Sequence, residues 1–182
     1  VPGDDLKHLD WKLLAKLDKC YIKQYEEDTS LRAWIVLDTS GSMAYGSGKQ
    51  RKIDTARHLV GVMTYLLLQQ QDSVGLVTCN DKIQHFRSPR STTTHMNSIL
   101  ETIAKIEPGE GTGLGEVLHT LAGKTRRRAL IIIISDFFTD PDSLSLAFNH
   151  FAHKKHELML YQVLDPAEID FKFRDLTRFA SL

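Results

Sequence analysis

Ala33-Trp34-Ile35-Val36-Leu37 runs directly into Asp38-Thr39-Ser40-Gly41-Ser42, and this junction decides how the chain is read. Five apolar residues in a row have the length of a strand buried on both faces. Such a strand delivers Asp38 at its C-terminal tip. Gly41 lets the chain turn there, so that the hydroxyls of Ser40 and Ser42 point back toward the carboxylate. One carboxylate and two hydroxyls make an oxygen-only nest suited to a hard divalent cation, Mg2+ or Mn2+. Asp and Ser are also ordinary turn residues, and on that ground Ser40 and Ser42 simply cap the next segment. The rest of the chain separates these alternatives.

Outward from the junction, strands and helices alternate. Upstream, Asp4 or Asp5 caps a predicted helix reaching about residue 16, and residues 20–26 alternate as an edge strand. Downstream, residues 51–71 place Ile53, Ala56, Val60, Met63 and Leu67 at helical spacing. Residues 73–79 read as a second core strand, with residues 83–87 paired to it as a hairpin across Asn80-Asp81-Lys82. Thr92 to Thr94 supply caps for a helix that stops before Pro108-Gly109. The glycine-rich loop Gly109-Glu110-Gly111-Thr112-Gly113 then opens a short helix. Residues 128–135, with four consecutive Ile, predict a central parallel strand. Asp142 is expected to cap a further helix, and residues 157–164 form the last strand. Repeated strand–helix–strand order implies an α/β fold: doubly wound, with a mostly parallel central sheet and helices on both faces.

At 182 residues, 42% hydrophobic and 25% charged, the chain has the composition of an ordinary globular domain with a real core. Lys+Arg 23 against Asp+Glu 23 leaves no net charge, so nothing in the balance favours nucleic acid or an anionic membrane. No apolar run approaches the roughly 20 residues that span a bilayer. Cys20 and Cys79 lack C-x-x-C spacing and suit free thiols in a reducing compartment. With no secretory leader, the expected location is cytoplasmic. Val1-Pro2-Gly3 and Phe179-Ala180-Ser181-Leu182 both read as cut ends of a longer polypeptide.

In a doubly wound sheet, ligands sit outside the carboxyl ends of the strands. Three oxygen-bearing loops fall there: Asp38/Ser40/Ser42, the glycine-rich loop with Thr112, and Ser135-Asp136 after the Ile-rich strand. A carboxylate at such a tip needs a cation, a cluster of donors or water, which holds for Asp136 and Asp38 alike.

D-x-S-x-S, a downstream Thr and an Asp after the next central strand resemble the von Willebrand factor A (vWA) fold with its metal-ion-dependent adhesion site. Those positions read Asp38, Ser40, Ser42, Thr112 and Asp136. Pro2-Gly3-Asp4-Asp5, Leu9-Asp10-Trp11, Glu26-Glu27 and the D-T-S-G-S-M box also resemble the bacterial family filed as domain of unknown function 58. For the Asp4-Asp5 and Asp10-Trp11 pairs, helix capping and a buried indole are a better account than any chemistry. The resemblance implies a Rossmann-like vWA domain over residues 31–182, with residues 1–30 as a family-specific extension. It implies that Ser40, Ser42 and Thr112 ligate Mg2+ or Mn2+ directly or through water, with Asp38 and Asp136 contributing mainly through bridging waters or one direct oxygen. It further implies that a Glu or Asp of a partner protein completes the coordination. Members of that family are often encoded beside MoxR-type AAA+ ATPases, which makes such an ATPase the implied partner.

The competing class is a Mg-dependent hydrolase or phosphoryl-transfer enzyme using Asp38 and Asp136. The chain has neither a G-x-S-x-G elbow nor a G-x-x-x-x-G-K-[ST] phosphate loop, and no second carboxylate two residues after Asp38. The expectation is therefore a non-enzyme. His150, His153 and His156 read as a solvated polar face, and Cys79 as a small core residue. Lys124 with Arg126-Arg127-Arg128 forms a basic patch on the edge opposite the metal face.

Overall fold

The computed structural model describes residues 30–111 and 113–171. The helix expected before residue 17 and the edge strand expected at residues 20–26 lie outside the described residues, as does Cys20.

Strand β1 (Arg32–Asp38) sits at the centre of a five-stranded sheet. It pairs in parallel with β2 (Ser73–Cys79) on one side and β4 (Leu130–Ser135) on the other. β5 (Glu157–Gln162) adds in parallel to β4, and β3 (Ile83–Arg90) pairs antiparallel with β2, giving the order β3-β2-β1-β4-β5. β3 runs further than its apolar residues suggested because Pro89 is tolerated in an edge strand. The doubly wound α/β architecture expected from the sequence is the one observed.

Alternation along β1 sorts the core into two layers. Ala33, Ile35 and Leu37 point to a cluster with Ile53, Ala56 and Val60 of α1 (Lys52–Gln69) and Ile99 and Ile103 of α2 (Thr93–Lys105). Trp34 and Val36 point the other way, to Leu118 and Leu121 of α3 (Leu114–Lys124) and Phe151 of α4 (Pro141–His153). Each fully buried Val, Ile, Leu or Phe among them contributes about 1.5–3 kcal/mol of apolar burial, which favours this pairing of faces over any register slip.

Three local expectations are corrected. Helix α4 is capped by Asp140, whose carboxylate accepts from Ser143 N, while Asp142 lies inside the first turn. Pro141 sets the boundary, because its missing N–H and fixed φ suit the first helical position. A short helix α5 (Pro166–Asp170), capped by Asp165, follows the last strand, which itself ends at Gln162. His156 is not part of a solvated face: it is buried, and its Nδ1 accepts from Ala129 N at 3.2 Å.

Candidate metal centre

Asp38 ends β1 with only 4% of its surface exposed. Its Oδ1 accepts from Ser40 N at 2.8 Å and its Oδ2 from Ser135 Oγ at 2.5 Å. Ser40 stands at the head of a 3₁₀ turn, Gly41–Ala44, closed by Met43 N to Ser40 O at 3.0 Å. The chain reverses here without left-handed backbone at Gly41; among the described glycines that conformation belongs to Gly111. The turn brings Ser40 Oγ to 3.1 Å from Ser42 Oγ. Two neighbouring oxygens on an octahedral Mg2+ at ~2.0–2.1 Å lie about 3 Å apart, so the hydroxyl pair fits a shared hard cation. Burial pushes the Asp38 carboxyl above its ordinary range, opposed by the hydrogen bonds from Ser135 and Ser40. The neighbouring Asp136 charge adds to the rise. No ion pair to Asp38 occurs among the described residues, and this is the kind of carboxylate that a bound cation would relieve.

The loop bearing Thr112 is fastened to the same edge. Gly109 N donates to Thr39 O at 2.9 Å, forming a parallel bridge with Ser40, and Gly113 N donates to Asn80 O at 3.0 Å. Gly111 has φ +101°, and a Cβ there would lie 2.8 Å from Asp81 Cβ. Glycine is needed for both reasons, so the loop stays tight against the β2–β3 turn. Thr112 itself lies outside the described residues.

Ser135 and Asp136 leave the tip of β4. Ser135 Oγ donates to Asp38 and accepts from Phe137 N at 2.8 Å, which couples the β1 and β4 tips. Asp136 is 2% exposed, and its Oδ1 accepts from Phe138 N at 3.0 Å. Its Oδ2 receives the Lys52 ammonium at 2.7 Å. Lys52 also donates to Glu168 Oε1 at 2.7 Å and lies 5.4 Å from the Phe138 ring centroid. The structure thus brings Asp38, Ser40, Ser42 and Asp136 to one edge and, among the described residues, supplies an internal cation for Asp136 alone.

Lys52 and Glu168 were not singled out from the sequence. A signal for Lys52 exists: it heads the stripe Lys52, Ala56, Val60, Thr64 and Leu67 that α1 turns inward. A lysine at the head of an inward stripe must meet a carboxylate. Glu168 carries no comparable signal, since a capping box with Asp165 explains its position. Cys79 is fully buried beside this edge, and burial holds its thiol protonated, as suits a core residue. Among the described residues, no three or more His, Cys, Asp or Glu side chains are grouped to hold a metal ion.

The family described as protein of unknown function DUF58 matches residues 1–175. The chain belongs to that family. This DUF58 chain is 27% identical over 172 residues to the uncharacterized protein Rv1480 of Mycobacterium tuberculosis, covering 93% of the chain and 54% of that protein. It therefore spans about half the length of the curated relatives it matches. An aerotolerance-related membrane protein from Bacteroides fragilis is similar in structure, with a TM-score of 0.63 and 17% identity over 73% of this chain and 67% of that one. The SpRpn10 VWA domain superposes with a TM-score of 0.50 and 15% identity, over 75% of this chain and 88% of that one. These likenesses identify the fold as vWA-like. No described helix of this DUF58 chain is long and apolar enough to cross a membrane.

Proposed function

We propose that this domain is a protein-interaction module that binds an acidic residue of its partner through Mg2+ or Mn2+ at the C-terminal edge of the sheet. The observation that carries the reading is the Ser40–Ser42 hydroxyl pair, 3.1 Å apart beside the buried Asp38 carboxylate, which has no cationic partner among the described residues.

Ser40, Ser42 and Thr112 would hold the ion, with Asp38 and Asp136 acting from behind them. Bound there, the ion supplies a hard positive centre for an incoming carboxylate. The chain's own groups prepare for it. Ser40 N and Ser135 Oγ orient Asp38 so that its negative charge lies under the hydroxyl pair. Hydroxyl ligands carry no formal charge, so they leave most of the positive charge uncancelled and attractive to a partner's acid. Lys52 neutralises Asp136 and ties it to Glu168, which keeps a second bare carboxylate from competing with that acid. The vWA-like fold and the family membership support the interaction role; the family resemblance points to a MoxR-type AAA+ ATPase as the partner to try first.

The test has two readouts. Mn2+ binding, followed by its electron paramagnetic resonance, is expected to be saturable and to weaken at least tenfold in Ser42→Ala and Thr112→Ala. Pull-down of a MoxR-type AAA+ ATPase is expected with Mg2+ and to vanish in EDTA. Mn2+ affinity unchanged in both variants overturns the metal site. Capture that persists undiminished in EDTA overturns the metal-bridged contact.

A further inference from the structure

The opposite edge of the sheet carries a second, unabsorbed cluster of charge. Arg32 opens β1, Lys124 closes α3, and Arg126 and Arg127 lie in the turn leading into β4. Together with Trp34 and Thr125 they line a pocket of about 420 Å3. Trp34 lines it at 6% exposure, and among the described residues its buried indole Nε1–H has no hydrogen-bond partner. Its ring lies against Phe86 with centroids 4.9 Å apart, and the Lys124 ammonium stands 5.7 Å from the same Phe86 ring. Among the described residues, none of Arg32, Lys124, Arg126 and Arg127 takes part in an ion pair, whereas neighbouring Arg128 is held by Glu157.

Four cations around one hollow repel one another, and a multiply charged anion seated among them relieves that repulsion. We propose that this pocket binds a phosphoryl-type oxyanion borne on a small soluble molecule, at a site separate from the metal centre.

The planar guanidinium forks of Arg32, Arg126 and Arg127 match the paired oxygens of a phosphate, and Lys124 adds a mobile point charge. A lone carboxylate satisfies one fork. A phosphate monoester offers three oxygens and a charge of about −1.5 to −2, enough for several. The donors line a concavity rather than a protruding ridge, which favours a compact ligand over a duplex or a bilayer surface. Six residue steps along β1 separate Arg32 from Asp38, about 20 Å of strand. Ligand here therefore approaches the end of the sheet away from Ser40 and Ser42.

The test is a titration of the full chain with inorganic phosphate in metal-free buffer, at ionic strength held constant with chloride. The readouts are calorimetry and the indole N–H resonance of Trp34, distinguished from that of Trp11 in a Trp11→Phe variant. Saturable binding of one phosphate with a shifted Trp34 indole signal is expected. The double substitution Arg126→Ala/Arg127→Ala, in an exposed turn, is expected to weaken it at least tenfold, while Ser42→Ala leaves it unchanged. A response that chloride alone reproduces, an unmoved Trp34 signal, or undiminished affinity in the double-arginine variant overturns the proposal. A parallel titration with phosphatidylglycerol vesicles separates the sources: binding to vesicles without binding of free phosphate overturns it as well.

Discussion

Lys52 and Asp136 form a buried ion pair across the C-terminal edge of the sheet, Nζ to Oδ2 2.7 Å, with side chains 2% and 1% exposed. The pair joins the start of α1 to the tip of β4, and through Glu168 it also holds α5. Removing one member strands the other in low dielectric, which costs far more than the pair is worth when intact. Lys52→Met is therefore expected to lower stability by about 3–5 kcal/mol, read from urea unfolding. Adding Asp136→Asn to that variant is expected to recover part of the loss, because no bare carboxylate then remains. A purely additive double variant would mean that the two groups act independently.

Ser135 was legible only as a companion to Asp136, yet it is the hinge between the two carboxylate-bearing tips. Its hydroxyl donates to Asp38 and accepts from Phe137 N, so Ser135→Ala leaves a buried acceptor and a backbone donor short of partners. The expected loss is about 1–3 kcal/mol in unfolding free energy. If Asp38 sits behind a metal as proposed, Mn2+ affinity falls about 10–100-fold as well, since a group that orients such a carboxylate has lost its hold. Stability and metal titrations on one preparation separate the two effects.

The junction at residues 33–42 made the sheet and one face of the site readable, because a run such as Ile131–Ile134 has few places to go except a central strand. Strand-end oxygens follow from that placement. Other features depend on contacts between distant segments and leave little local trace. Lys52 and Asp136 are 84 residues apart, and neither sequence neighbourhood names the other. The cap of α4 was misplaced by two residues because Asp140 and Asp142 are equally good caps locally, and the proline between them decides. His156 looked like the third of a polar series, but the series leaves the helix after His153, and the next turn folds His156 inward to Ala129. The basic patch was visible as charge, while its concavity and the buried indole beside it required the fold.

Gly75 on β2 sits beside Trp34 on β1, and the indole occupies the space that a side chain would fill. A Cβ at position 75 would lie 2.8 Å from Trp34 Cε3 and 2.8 Å from the Arg87 carbonyl oxygen. The indole has some freedom to give, but the β3 backbone carbonyl has little. Gly75→Ala is expected to cost about 1–3 kcal/mol through overpacking, with altered fluorescence from Trp34 in the folded state. Unfolding curves followed by tryptophan emission report both quantities. A neutral result would mean that β3 slides away freely from its register with β2.

Asp165 fastens the loop before α1 to the start of α5. Its carboxylate accepts from Ser47 N at 2.9 Å, from the Ser47 hydroxyl and from Ala167 N at 2.9 Å. The Ser47 hydrogen bonds are the main reason its carboxyl titrates below the ordinary 3.8. An acid whose folded pKa is depressed binds fewer protons folded than unfolded, so its contribution to stability is complete above 3.8. That contribution drains away as pH falls through the lower, folded value. Asp165→Asn keeps the shape but cannot ionise. The variant is expected to be less stable than the parent near pH 7, and the gap between them is expected to close below 3.8. Chemical denaturation of both proteins across that range measures the gap directly, and one that stays constant with pH would mean that the charge of Asp165 is not what holds Ser47.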